Sequence, residues 1–367
     1  NSKKIKEISK TLNHYLINKD LVGLKNLILE LGINDPVSGT QNWTDVKQFN
    51  LMFSTKIGSN VDTSSSIYLR PETAQGIFLN FLNVINSTRV KIPFGIAQIG
   101  KAFRNEIIAR QFVFRMREFE QMEMQFFVEP GTEMNFYDDW KDKRMKWHKS
   151  LDLGDHLYRF HNHENLAHYA NAACDIEFLF PMGFKELEGI HSRTDFDLKS
   201  HQKLSGKKIN YYDQKTKSSF VPYVIETSVG LDRLFLSVLS ASYQNQKLKN
   251  GTERIFLKIP FGIAPIKAAI LPLNAKDNLP EKAKLLYDEL KTFFNIQYDE
   301  KDSIGKRYRR QDAIGTPYCI TFDYDTLKDN SVTIRNRNSM VQERVLLSST
   351  KDYIINNVSI DNLLTQV

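Results

Sequence analysis

Apolar positions at the start of the chain follow helical spacing. Ile5, Ile8, Leu12 and Leu16 share one face, and one or two helices are expected over residues 1–32. Turn-prone stretches, "NDPVSGTQN" and "GSNVDTSSS", then make residues 33–66 loop-rich. From 67 to 128, strand-like runs alternate with a short helix after "RPETAQG". Residues 134–150, "MNFYDDWKDKRMKWHKS", read as a charged helix with a solvated face over Lys141–Lys149. A mixed pattern from 157 ends in the apolar strand "FVPYVIE". The helix beyond it carries Leu231, Leu234, Phe235, Val238 and Leu239 as a buried stripe.

The rhythm changes after the polar stretch "NQKLKNGTE" at 245–253. "KAAILPL" reads as a strand, "PEKAKLLYDELKTFF" as a helix, and "PYCITFDY" and "SVTIRNR" as further strands. That order implies an α/β domain with a parallel or mixed sheet over 249–367. It follows a first domain over 45–248 and an N-terminal segment of helix and loop over 1–44. The heptapeptide "KIPFGIA" occurs at Lys91 and again at Lys258, but the unlike flanks mark coincidence rather than a repeat.

A length of 367 residues supports two domains with ample cores. A hydrophobic share of 41% and a charged share of 25% are those of an ordinary globular chain. The formal net charge of +7 permits a polyanionic partner without requiring one. Cys174 and Cys319, the two cysteines, are far apart and form no CxxC pair. Neither a disulfide framework nor a thiolate zinc site is expected, and a reducing cytoplasm fits. No apolar run approaches the roughly 20 residues that span a bilayer. The first residues lack the apolar core of a secretory signal, so no membrane role is expected.

The stretch "FRNEIIARQFVFRMREFEQME", 103–123, does not fit a plain strand pair. Unpaired buried charges cost on the order of several kcal/mol, yet arginines and glutamates alternate here with phenylalanines. By strand parity Arg104 shares a face with Glu106, and Arg115, Arg117, Phe119, Gln121 and Glu123 share a face on a returning strand. "IIARQFV" is the connecting loop. Such a face offers guanidinium forks for phosphate, an aromatic plate and carboxylates. A solvated sheet face with cross-strand ion pairs is the competing reading.

With those residues in view, the stretch resembles motif 2 of the class II aminoacyl-tRNA synthetases: F-R-x-E, a loop, then R-x-x-x-F-x-x-x-E. "YLRPETAQGIFLNF", "IAQIGKAFRNEI", "FKELEGIHSRTDFDLKSH" and "PYVIETSVGLDRLFL" narrow the resemblance to the dimeric type of glycyl-tRNA synthetase. "GKRYRRQDAIGTPYCITFDYDTL" and "VTIRNRNSMVQERV" resemble its anticodon-binding domain. The resemblance spans about residues 45–360. It implies an α+β fold: an antiparallel catalytic sheet flanked by helices, then an α/β domain with a mixed sheet.

The resemblance also implies the chemistry. Glycine and ATP would give glycyl-adenylate, and glycine would then pass to its tRNA. Attack by a carboxylate needs no general base, only positioning and neutralised charge, which suits a site of arginines and glutamates. Arg104 and Arg233 would serve catalysis. Arg104, Asn105, Glu106, Phe114, Arg115, Phe119, Glu186, Leu187, Gly230 and Arg233 would bind ATP, with Arg233 in the first turn of a helix. Glycine offers only an ammonium, a carboxylate and two α-hydrogens. Glu72, Glu120, Gln121, Glu123, Glu226 and Ser228 would hold it. Glu186 and Glu226 are the expected ligands of Mg2+. The family's E-P-S-A-G reads "ETSVG" here, so Thr227 and Val229 depart from it. Arg307, Arg309, Arg310, Arg335 and Arg337 are expected on tRNA, with Tyr308 beside them.

His161, His163 and His168 fit no strong ligand spacing, and no zinc is expected. Motif 1, which builds the class II homodimer, is not recognisable upstream of residue 45, and the chain opens on Asn1. A truncated catalytic segment is the expectation for 1–44. Two other readings compete: a catalytically silent accessory subunit that binds nucleic acid, and a class II synthetase for another amino acid. The presence of Arg104, Glu106, Phe119, Glu226 and Arg233 argues against the first. "RPETAQGIF" and "ELEGIHSRTDFDL" argue against the second.

Overall fold

The computed structural model describes residues 2–58, 65–248 and 250–365. Most of the expected break "GSNVDTSSS" and Lys249 of the expected boundary lie outside the described residues. The chain divides into two compact units, Asn1–Pro71 with Phe103–Ile108, and Glu72–Ala102 with Ala109–Val367.

In the first unit the N-terminal pattern gives helices α1 (Ser2–Ile17) and α2 (Leu21–Glu30). Asp20 caps α2 by accepting from the Gly23 amide at 2.8 Å. Ile5, Leu12 and Leu16 of the apolar α1 face remain exposed. Strands β1 (Ser54–Ile57) and β2 (Ser65–Tyr68) pair antiparallel.

The second unit opens with helix α3 (Ala74–Thr88), strand β3 (Phe94–Phe103, the last residue falling in the first unit) and strand β4 (Glu118–Val128). Then come α4 (Glu133–Ser150), β5 (Tyr158–Asn162), β6 (Ala172–Phe180), β7 (Gly183–Thr194) and α5 (Phe196–Ser205). A small pair, β8 (Tyr211–Asp213) and β9 (Ser218–Phe220), precedes β10 (Tyr223–Gly230) and α6 (Leu231–Ser242). The six-stranded sheet has the order β3-β4-β10-β7-β6-β5, and β4, β10, β7, β6 and β5 pair antiparallel. Residues from β6, β7 and β10, with Phe114 and Tyr137, form one core; α3 packs Ile77, Phe78 and Phe81 against Phe127 and Val224 in another. Two expectations need correction here. Phe235 and Leu239 are exposed rather than part of a buried stripe. On α4, Arg144 and His148 turn inward, both bonded to the buried Glu188.

The polar stretch at 245–253 is a hairpin, β11 (Tyr243–Lys247) and β12 (Glu253–Leu257). Beyond it run β13 (Ala268–Pro272), α7 (Leu279–Leu290), β14 (Ile296–Tyr298), α8 (Ile304–Ala313), β15 (Tyr318–Phe322), α9 (Thr326–Asp329), β16 (Ser331–Asn336), β17 (Gln342–Leu346), α10 (Leu347–Val358) and α11 (Asp361–Leu364). Their five-stranded sheet, β14-β13-β15-β16-β17, is parallel on one side of β15 and antiparallel on the other. The two copies of "KIPFGIA" fold differently. The first leads into β3 at Phe94, whereas the second makes a single tight turn at Phe261–Ile263.

Candidate active site

An alternating strand usually turns apolar residues to its buried face. Strand β4 begins by doing the opposite: Gln121, Glu123 and Gln125 are buried. Across the ladder they meet Gly230, Ser228 and Glu226 of β10. On the other side of β10, Glu226 meets His191 and Ser228 meets Gly189 of β7. One end of the central sheet therefore carries a buried polar floor.

Glu226 is the most enclosed carboxylate in it. Its Oε2 accepts from Gln125 Nε2 at 2.6 Å and from Arg193 Nη1 at 2.7 Å. Its Oε1 lies 3.0 Å from His191 Nδ1. Burial alone would raise its pKa, but the His191 bond and the Arg193 charge outweigh that and hold it at about 2. Arg193 also grips Asp197 through two bonds, 2.9 and 3.1 Å, and its guanidinium lies 4.3 Å from the Tyr169 ring centre.

Glu123 stands in the reverse situation. Burial, with the Glu226 charge nearby, raises its pKa to about 7. It forms no ion pair with a described residue; the Thr73 amide donates to its Oε2 at 3.0 Å, and the Thr73 hydroxyl donates to the same oxygen. Glu72, one residue earlier, accepts from Gln75 Nε2 at 2.9 Å, and that amide also reaches Asp197 at 3.0 Å. Gln121 Nε2 points to Ser228 Oγ at 3.4 Å. Glu72, Gln121, Glu123, Glu226 and Ser228 thus come together around a surplus of carboxylates. Glu120 does not join them: it is on the opposite face of β4, and its amide faces Asp232 at 3.4 Å.

A second group gathers beside the floor. Arg233, in the first turn of α6, donates to the Glu186 carbonyl at 3.0 Å and to the Phe114 carbonyl at 3.2 Å, and pairs with the Glu186 carboxylate at 3.1 Å. Leu187 is buried beneath, and the buried Phe114 sits edge-on to Phe180 at 4.9 Å. Gly230, at φ −75°, has a backbone that any residue adopts. An added Cβ there would meet only the Arg233 stem, at 3.5 Å.

The hairpin parity holds only in part. β3 ends at Phe103 and β4 begins at Glu118, so Arg104, Glu106, Arg115 and Arg117 lie outside the strands, and a tight turn at Phe112–Phe114 interrupts the return. Only Phe119, Gln121 and Glu123 keep the expected alternation. Arg104, Asn105 and Glu106 belong to the first unit. There Arg104 Nε donates to the Pro71 carbonyl at 3.2 Å, and the Asn105 amide donates to Leu51 at 2.7 Å.

Three of the five arginines expected on tRNA turn inward. Arg307 is buried and donates to the Pro272 and Leu273 carbonyls at 2.5 and 3.1 Å. Arg335 makes a fork with the buried Asp312, at 2.9 and 3.1 Å, and covers Tyr308. Arg337 donates to the Gly315 and Ile259 carbonyls at 2.5 and 2.6 Å. These side chains fasten loops that no ladder satisfies, so the run "GKRYRR" is a helix with one buried edge and not a basic surface. Arg309 is exposed, and Arg310 is exposed but paired with Asp299 and Asp302.

Metal expectations change as well. Glu226 does not fit a metal, because both of its oxygens are engaged inside the protein. Glu186 has a half-exposed carboxylate and does fit. Of the three weighed histidines, His161 bonds Glu177 at 3.2 Å and His168 stacks edge-on with Phe196. His163 instead meets Asp175 and His191, partners the local spacing could not show. Gln125, Arg193 and Asp197 were also missed; Gln125 has the parity of Glu123, and Arg193 and Asp197, at the end of β7 and the start of α5, stand close together in "HSRTDFDL".

An antiparallel sheet with this polar floor, followed by a mixed-sheet domain, defines a class II aminoacyl-tRNA synthetase. Residues 54–243 match the class II core domain (G, H, P, S and T), and 267–357 match the anticodon binding domain. Residues 1–51 match glycyl-tRNA synthetase insertion domain 1. The chain belongs to the glycyl-tRNA synthetase family. It is 52% identical to the glycine–tRNA ligase of Chlorobaculum tepidum over 332 residues, 90% of this chain and 70% of that one. It is 53% identical to that of Clostridium acetobutylicum over 335 residues, 90% of this chain and 72% of the relative. The reaction is aminoacylation of tRNA with glycine, in a class that uses ATP and a divalent metal. The fold is also similar to two solved Cryptosporidium parvum structures. The RNA binding domain of threonyl-tRNA synthetase superposes with TM-score 0.62 at 18% identity, covering 84% of this chain and 80% of that one. Prolyl-tRNA synthetase complexed with halofuginone and AMPPNP superposes with TM-score 0.61 at 15% identity, covering 86% of this chain and 63% of that one. No described helix is long and apolar enough to cross a membrane.

Proposed function

We propose that the floor formed by β4 and β10 seats glycine, and that its ammonium sits among Glu72, Glu123 and Glu226 with Ser228 and Gln121 beside it. The observation that carries this reading is the unpaired Glu123. Its pKa, raised to about 7, marks a buried carboxylate that lacks a cation. The Arg193 guanidinium, which acts on Glu123 from nearby, is spent on Asp197 and Glu226, and an ammonium would complete the balance. Exclusion of alanine would be steric, a harder limit than the few kcal/mol of a missing methylene.

Beside it, Arg233 and Glu186 bind the nucleotide, with Phe119 and Arg115 contributing to adenine and phosphate binding. The helix start at Arg233 favours phosphate. For Arg104, Asn105 and Glu106 the proposal rests on the motif alone: Arg104 for the α-phosphate and Glu106 for the adenine amine. Mg2+ is the proposed metal, with Glu186 its protein carboxylate and charge neutralisation its contribution. Residues 45–248 carry this chemistry. Residues 249–367 meet tRNA(Gly), with Arg309 and Arg310 the remaining arginine candidates. A cytoplasmic homodimer is proposed from the resemblance to the dimeric type.

The test is glycine-dependent exchange of pyrophosphate into ATP, with alanine and serine as controls and Arg104→Ala and Arg233→Ala alongside. Exchange with glycine alone, abolished by both substitutions, supports the assignment. Equal exchange with alanine, or full activity in both variants, rejects it.

A further inference from the structure

We propose that His163, Asp175 and His191 form a site for a divalent transition metal of the zinc class, with one coordination position left open. The three offer ligand atoms that all lie within 4.8 Å of one another. They come from adjoining strands. The His163 amide donates to the Ala173 carbonyl at 3.1 Å, which extends the β5–β6 ladder by one residue. Ala173 is paired with His191, and Asp175 with Gly189 and His161. The two histidines therefore flank a small alanine in one cross-strand row, and Asp175 stands in the next row on the same face.

The space between them is kept clear by glycine. A Cβ on Gly189 would lie 2.9 Å from His191 Cε1 and 3.7 Å from Asp175 Oδ1, so any side chain there would press into the cluster. Two imidazoles and a carboxylate suit zinc and its neighbours, and three protein ligands leave a fourth position for water or another donor. Magnesium prefers oxygen ligands alone.

The partner arrangement is that of a metal-bound histidine. His191 Nδ1 faces Glu226 Oε1 at 3.0 Å, which leaves Nε2 for the ion. Glu226 is itself fixed by Gln125 and Arg193. Without an ion, His163 Nε2 and Asp175 Oδ2 share a hydrogen bond of 2.9 Å; a metal takes the place of that proton. His161 is outside the set, because its Nδ1 is held by Glu177. The three side chains are between 14% and 31% exposed, which leaves a path for entry.

The site adjoins the proposed glycine pocket through Glu226, but its test uses no glycine, ATP or tRNA, so it succeeds or fails independently of that assignment. The full chain, stripped with a chelator, is titrated with Co2+ and followed by visible d–d absorption. One equivalent is expected to bind with saturation and to be displaced by Zn2+ but not by Mg2+. His163→Ala and Asp175→Asn are each expected to weaken binding about tenfold or more, while His161→Ala leaves it unchanged. Circular dichroism checks the fold, and if His163→Ala does not fold, the isosteric Asp175→Asn carries the comparison. Absence of saturable cobalt binding in the folded chain overturns the proposal, as does displacement by Mg2+ or undiminished binding in Asp175→Asn.

Discussion

Arg193 Nη1 donates to Glu226 Oε2 at 2.7 Å and joins β7 to β10 in the middle of the sheet. The same guanidinium holds both oxygens of Asp197. One buried cation therefore serves two buried carboxylates, and its loss leaves Glu226 to His191 and Gln125 and Asp197 to the Gln75 amide. Arg193→Ala is expected to lose about 3–5 kcal/mol of stability, the usual range for breaking a buried pair. Arg193→Lys keeps the charge but cannot span both partners, so its loss should be smaller. Denaturant midpoints for the two variants check this; a change below about 1 kcal/mol in Arg193→Ala would show that the network contributes little.

Glu123 gives a pH dependence with a definite sign. Its folded pKa, raised to about 7, exceeds the ordinary value of 4.5. The stability it contributes is fully present below 4.5 and is lost as pH rises through about 7. The shift corresponds to something on the order of 3 kcal/mol. Melting curves at pH 5 and pH 8 should therefore differ more for the wild type than for Glu123→Gln. Glycine binding should show the opposite slope. An ammonium needs the ionised carboxylate, so affinity is expected to rise as pH increases through the same window. Calorimetric titration of glycine over that range, flat in the wild type, would remove Glu123 from the ammonium site.

Arginines in the second sheet domain should separate into two kinds. Arg337 is fully buried, and burial lowers its pKa to about 10 despite the charge on Asp312. Arg337→Ala removes the donors for two buried carbonyls, at about 1–3 kcal/mol for each unsatisfied group. Arg309→Glu, on the exposed face of α8, should leave the melting temperature within about a degree or two. If this surface meets tRNA, it should also weaken binding and flatten the salt dependence. A filter-binding titration at two salt concentrations, paired with thermal melts, distinguishes the two. A stable Arg337→Ala that loses tRNA would reverse the assignment.

These contrasts mark what was legible in the sequence. Period-two and period-3.6 patterns and apolar runs predicted α1, α4, α6, α7, β13, β15 and β16 as elements, but not which faces are buried: Ile5, Leu12 and Leu16 of α1 and Phe235 of α6 are exposed. Motif residues on one strand, Gln121 and Glu123, were legible through parity and resemblance together. Glu120 was not, since adjacency in sequence means opposite faces in a strand. Arg335 and Arg337 have the right parity, but parity does not say whether a face meets water or α8. Asp312 decides that for Arg335, from 23 residues away in sequence, and the Gly315 and Ile259 carbonyls decide it for Arg337. The convergence of His163 on His191 likewise depends on the register of β5, β6 and β7, which no local spacing encodes.

Arg233 bonds the Glu186 and Phe114 carbonyls, and its substitution should separate the proposed nucleotide chemistry from stability. Its side chain is about a quarter exposed and bonds two backbone carbonyls as well as Glu186, so Arg233→Ala should cost the fold about 1–2 kcal/mol at most. The effect on adenylate formation should be far larger. A cation aimed at charge that develops during phosphoryl displacement contributes roughly 10²–10³ in rate, and the pyrophosphate-exchange kcat should fall by that factor while glycine affinity holds. Transfer of glycine from preformed adenylate to tRNA no longer needs charge neutralised on departing pyrophosphate, so single-turnover transfer should fall much less. Equal losses in both half-reactions would instead make Arg233 a structural strut between Glu186 and Phe114.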